Sequence, residues 1–156
     1  MLLLKDINID DIQFKSMRRT DTGTRIIDVD NQKMYQTCWL KALYDIEYNL
    51  CLSTEGIEPI LEMFDKKVIE ESIKSFDFSE KDITDMYKYL NKNYISLSIS
   101  TNTYLFDKDK NCYEKPEIKD KLKKGDFVRC IIKPKKIYYK DHEIVFTLEL
   151  VQIELS

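Results

Sequence analysis

A chain of 156 residues with 43% apolar and 12% aromatic residues, but only three Gly and three Pro, suits one packed core and excludes a disordered, fibrous or repeat protein. Its 25 basic and 28 acidic residues leave a net charge of −3, which argues against indiscriminate attraction to nucleic acid. No run approaches the ~18 consecutive apolar residues of a membrane helix, and Met1 to Leu4 is too short for a signal-peptide core, so a soluble, intracellular protein is expected.

In chain order, Asp11 to Thr20 alternates Ile12, Phe14 and Ser16 with Gln13 and Lys15, the period of a half-buried strand. Asp21-Thr22-Gly23 supplies a turn, and the runs 24–29 and 33–40 read as further strands of the same sheet, followed by one at 46–53. From Gly56 to about Phe76 the period becomes helical: Ile57, Ile60, Leu61, Phe64, Val68 and Ile73 share a face, and Pro59 fits the first turn. A second helix starts after Ser79, an N-cap with Asp82 three residues on, and runs to about Leu90. Strand period returns at Tyr94 and runs to about Phe106, Asp107 to Asn111 forms a turn, and Ile118 to Lys124 leads to Gly125-Asp126. Phe127 to Lys133 and Ile144 to Leu155 then form two strands joined by a projecting basic arm over 134–143. The expectation is one α+β, mainly β domain, a meander or small barrel with a helical insertion at about 57–90 and a basic hairpin at about 127–155.

Enzyme signatures are sparse. His142 stands alone in a polar turn, Gly23, Gly56 and Gly125 are isolated, and no Ser or Cys has a base at a recognisable spacing. Asp28-Val29-Asp30 lacks further carboxylates for a metal, and the segment from Asp107 has Cys112 and Ile118 where a calcium loop needs Gly and Glu. No cofactor, no metal and no catalysis are expected. The cysteines Cys38, Cys51, Cys112 and Cys130 are widely spaced and read as reduced thiols in or near the core.

The uneven charge points elsewhere. From Lys115 to Lys140 ten Lys or Arg face three acids, a local +7, while residues 1–114 carry −6 and 141–156 carry −4. Such a block attracts phosphates even on an anionic chain, and exposed rings beside it stack unpaired bases at roughly 1–3 kcal/mol each. Candidate phosphate contacts are Arg18, Arg19, Arg25, Lys33, Arg129, Lys133, Lys135 and Lys136; candidate stacking rings are Tyr35, Trp39, Tyr94, Tyr104, Tyr138 and Tyr139. The partner expected is single-stranded DNA, with RNA left open; an adaptor docking a replication or transcription protein through the helical insert is the alternative. A shared sheet edge would allow an oligomer.

The C-terminal run KLKKGDFVRCIIKPKKIYYKDHEIVFTLELVQIEL, ending in Leu150-Val151-Gln152-Ile153, resembles the final hairpin of the OB-fold single-stranded DNA-binding proteins of nucleocytoplasmic large DNA viruses. Gln36-Thr37-Cys38-Trp39-Leu40 is similar to that family's Gln-Thr strand, and Leu50 to Gly56 with Phe64 to Ile69 to its strand and helix insertion. The resemblance runs in order from about Phe14 to Leu155. It implies an OB barrel, sequence-tolerant binding of single-stranded DNA, service in viral replication, recombination or repair, and residence in host cytoplasm or nucleus. Two departures stand out: the chain ends on Ser156 without the acidic tail of related phage proteins, and Cys38 replaces an expected proline.

Overall fold

The computed structural model describes residues 1–156. In chain order the strands are β1 (Leu2–Leu3), β2 (Gln13–Phe14), β3 (Arg18–Arg19), β4 (Arg25–Asp30), β5 (Tyr35–Gln36), β6 (Leu40–Lys41) and β7 (Asn49–Ser53). Helices α1 (Glu58–Phe76) and α2 (Glu80–Met86) follow, then β8 (Tyr94–Ser98), β9 (Tyr104–Phe106), β10 (Cys112–Tyr113), helix α3 (Lys115–Lys121), and the long β11 (Phe127–Lys140) and β12 (Glu143–Leu155). The α+β, mainly β expectation holds, and no helix is long and apolar enough to cross a membrane.

The hairpin of β11 and β12 is the spine. Its turn, Asp141-His142, has both residues at positive φ (52° and 62°), the paired left-handed geometry whose twist matches that of the flanking strands. The basic segment 134–140 therefore belongs to the ladder; the expected projecting arm does not exist, because Lys136 to Lys140 pair with Thr147 to Glu143. Along its other edge β11 meets β6 at 127–128, β5 at 131–132 and β4 at 136–139 in succession. Parallel pairs β1–β5 and β12–β9 make the sheet mixed. The ribbon β7–β8 joins β6 through the Ala42–Leu52 bridge, and β8 comes within 8 Å of β12 without forming a ladder, so the curled sheet does not close into a hydrogen-bonded barrel.

Helix α1 closes the inner face. Leu61, Phe64, Val68 and Phe76 recur at helical spacing and are buried, with Phe64 against Phe146 (5.7 Å between ring centres) and Phe76 against Tyr139 (6.0 Å). Pro59 lies in the first turn and Ser79 Oγ accepts from the Asp82 amide at 3.2 Å, as their sequence positions require. Asp65, buried in α1, accepts from Tyr87 Oη, the Leu90 amide and the Asn91 amide, and so ties the segment after α2 to α1. Burial and this carboxylate push the Tyr87 phenol well above its ordinary range.

The long strand expected from Tyr94 to Phe106 is broken at 99–103. Ser100 and Thr103 hydroxyls accept from the Asn102 and Ser100 amides, and Thr103 Oγ1 donates to the Leu150 carbonyl at 2.7 Å, so local side-chain bonds replace the ladder there. Among the cysteines, Cys130 is buried in the core, its thiol pushed up to about 12 by desolvation, whereas Cys38 and Cys112 are exposed against expectation.

Candidate nucleic-acid interface

Alternation along β11 separates two sets of side chains. Val128, Cys130, Ile132 and Ile137 enter the core; Arg129 and Lys133 face out, and Ile131 shares their face although it is only 6% exposed. A β-bulge then inserts one residue between Pro134, which pairs with Leu148, and Lys136, which pairs with Thr147. The extra residue makes two successive lysines, Lys135 and Lys136, face outward, where strict alternation would have buried one. Pro134, lacking an amide donor, sits at the irregularity where a strand tolerates it.

Register carries this face across the sheet. Ile131 pairs with Gln36 on β5 and with Gln152 on β12, and Gln152 pairs with Tyr104 on β9, which leaves that ring 41% exposed on the same side. One residue pair along, Arg129 lies beside Glu154, and beyond it Phe106. The Arg129 guanidinium stacks over the Trp39 ring at 4.8 Å and donates from Nη2 and Nε to Glu154 Oε2 at 2.7 and 3.1 Å. Trp39 itself is 41% exposed. The result is an outward platform bearing Trp39 and Tyr104, with Arg129, Lys133, Lys135 and Lys136 down one strand.

Besides Arg129, two cations of the platform rim are held by carboxylates. Arg18 donates to both oxygens of Asp28, at 2.6 and 3.3 Å, and Lys135 Nζ lies 3.4 Å from Glu149. That bond from Arg18, helped by the charges of Arg18, Lys136 and Lys15, holds the Asp28 carboxyl below its ordinary value. Solvent-facing pairs of this sort contribute about 0–1 kcal/mol, so a phosphate can displace the carboxylate at little cost. Lys33 stands exposed in the turn after β4, which leans on the sheet through Gln32 Nε2 donating to the Lys135 carbonyl.

The other sequence-derived candidates fall elsewhere. Tyr35 is 1% exposed, so its ring is not available for stacking. The expected single strand 33–40 gave Tyr35 and Trp39 the same facing, but the chain breaks at Thr37, which bonds twice to Cys130, and the alternation restarts with Trp39 outward. Arg25 and Tyr139 lie on the inner side, where the Arg25 guanidinium stands 5.6 Å from Phe78 and 5.4 Å from Tyr139 and donates to the Phe76 carbonyl at the end of α1. Arg19 pairs with Arg25 and so shares that side, opposite Arg18. Tyr138 pairs with Val145 on the outer face and borders the cleft between β12 and β8; Tyr94 is on the outer face of the β7–β8 ribbon, across that cleft. Two residues absent from the sequence-derived set complete the platform's end: Phe127 and Lys41, cross-strand partners and both exposed. Two-residue spacing from Arg129 was the signal that Phe127 faces outward.

No protein-family model matches this chain, and no curated protein does. Among solved structures, the chain is similar to the single-stranded DNA-binding protein from bacteriophage Enc34 in complex with single-stranded DNA, with a TM-score of 0.47 and 14% identity, covering 90% of this chain and 94% of that one. The C-terminal truncation of that phage protein gives a TM-score of 0.47 and 14% identity over 92% of each chain.

Proposed function

We propose that this chain binds single-stranded nucleic acid, DNA in the first instance, across the outer face of the β11–β12 sheet, stoichiometrically and without catalysis. The observation that carries the reading is the Arg129–Trp39 stack set in one surface with the Tyr104 ring and the row of lysines that the bulge extends. Bases stack on the two rings while the cations follow the backbone, an arrangement that reads no base edge and so tolerates any sequence. Service in replication, recombination or repair of a viral genome, inside the host cell, is the role we attach to this binding on the strength of the C-terminal resemblance.

Titrating a labelled oligonucleotide at several salt concentrations tests the reading. Log affinity is expected to fall with log salt at about 0.7 per phosphate neutralised, and duplex of equal length to compete poorly. Equal or tighter binding of duplex would overturn it. A second reading draws on the groove of about 430 Å³ between α1 and α2, where Glu62, Glu70 and Glu80 ring Ile69, Ile73 and Tyr89. That surface suits a basic protein segment, and a complex that forms through it in the absence of any oligonucleotide binding would favour an adaptor.

A further inference from the structure

Beyond the platform's end the chain builds a second aromatic and basic surface that none of the residues above includes. The segment 42–49 leaves β6 and returns into β7, and it is held firmly: the Ala42 amide donates to the Asp126 carbonyl, the Gly125 amide to the Ala42 carbonyl, the Leu43 amide to the Cys51 carbonyl, and the Lys124 amide to Asp45 Oδ1, all at 2.8–3.0 Å. Despite these ties, Tyr44 and Tyr48 are turned to solvent, Tyr48 at 85% exposure. A ring of that size, on a loop bonded to a folded neighbour and still not packed against it, is unsatisfied apolar surface rather than core.

Basic side chains flank the same ring. Tyr48 lines a groove of about 570 Å³ together with Lys115 and Lys119 of α3, Asn49 and Ser98, and with one acid, Glu47. Lys115, Lys119 and Lys123 recur every fourth residue, a single ridge along the short helix and its exit, while Ile118 and Leu122 turn into the core. Continuity with the platform follows from the chain itself: Phe127 pairs with Lys41 next to Arg129, and Tyr44 is three residues beyond Lys41.

We propose that the groove between the 42–49 loop and α3 is a second binding segment for single-stranded nucleic acid, into which a strand leaving the platform past Phe127 and Lys41 runs, with a base on Tyr48 and phosphates on Lys115 and Lys119. This rests on the platform reading and extends it, and it makes the occluded length longer than the platform alone. A strand short enough to fill only the platform does not sense the groove.

The experiment compares oligo-dT of ~6 and ~20 nucleotides, one near the short end of the ~4–16 nucleotides an OB fold covers and one beyond the long end, on wild type, the platform variant Trp39→Ala and the groove variant Tyr48→Ala/Lys115→Ala/Lys119→Ala. The groove variant is expected to lose roughly 10-fold or more in affinity for the long oligonucleotide, with the salt slope shallower by about 1.4, and to bind the short one as wild type does. Glu47→Gln is expected to tighten the long complex alone. For a direct readout, Tyr48→Trp in a Trp39→Phe background reports quenching by the long oligonucleotide and none by the short. Unchanged long-strand affinity and slope in the groove variant, with Trp39→Ala weakened at both lengths, overturns the second segment and leaves the platform standing. Loss of both lengths only in the groove variant, or no binding by wild type at all, overturns the platform reading as well.

Discussion

Two arginines of this molecule sit against aromatic rings, and their surroundings assign them opposite work. Arg25 lies against both Phe78 and Tyr139, whose ring centres are 5.2 Å apart, with a hydrogen bond to the last carbonyl of α1, so its charge serves the helix end and the two rings serve the core beneath. Arg129 lies over Trp39 at a closer 4.8 Å, yet Trp39 stays 41% exposed. Proximity of cation and ring is common to both places; what differs is how far the ring is exposed. The pairing of Lys or Arg with Tyr or Trp along a sequence therefore marks a candidate only, and the sheet's alternation decides which candidates remain.

Removing one member of each pair in turn separates the two kinds of site. Trp39→Ala is expected to weaken oligonucleotide binding by ~10–100-fold, the worth of one or two stacked bases, with the melting temperature nearly unchanged because the ring is half in solvent. Arg25→Ala should behave in the reverse sense. Losing the helix-end bond and both ring contacts costs about 1–2 kcal/mol of folding stability, a fall of ~3–6 °C in melting temperature, while affinity stays at the wild-type value. If Arg25→Ala weakened binding and left melting unaltered, the division between the two sites would be wrong.

Tyr35 belongs to the inner, structural set. Its hydroxyl is buried with no hydrogen-bond partner, an arrangement that costs free energy without return. Tyr35→Phe is thus expected to stabilise the fold by about 1 kcal/mol, read as a higher denaturant midpoint at constant slope, and to leave oligonucleotide affinity alone. A drop in affinity would return this ring to the interface.

How much of this was legible beforehand depends on what kind of signal each residue carried. Helix α1 announced itself because Leu61, Phe64, Val68 and Phe76 recur at helical spacing along its 19 residues, and Ser79 because capping is a local interaction. Helix α3 was missed: in seven residues it buries one apolar side chain, Ile118, and a single anchor makes no period. The bulge at Lys135 and the break at Thr37 were missed for a related reason, since each shifts the facing of everything after it and neither leaves a mark beyond Pro134 and a hydroxyl. The candidates therefore divide by face: Arg129, Lys135, Lys136 and Trp39 lie on the outer side, whereas Tyr35, Arg19 and Arg25 lie on the inner one.

A carboxylate, Asp28, guards the platform rim. Asp28 holds Arg18 through two hydrogen bonds and lies beside Lys136, so Asp28→Asn removes a negative charge from the path of the strand and releases a guanidinium. Affinity is expected to rise roughly 3-fold, with the salt slope steeper by about 0.7, one further phosphate. Stability should move in the other direction, and with a defined pH dependence. Because the bond from Arg18 lowers the folded-state value of this carboxyl beneath the unfolded one, its contribution is complete above the ordinary carboxylate range and is lost as pH falls through the lowered value. Wild type should thus exceed Asp28→Asn in urea midpoint at neutral pH, by the small margin typical of a solvent-facing pair, and the two should converge well below pH ~4. A gap that persists unchanged into acid would mean that packing, and not the ion pair, is what Asp28 supplies, and Arg18 would then already be free for the strand.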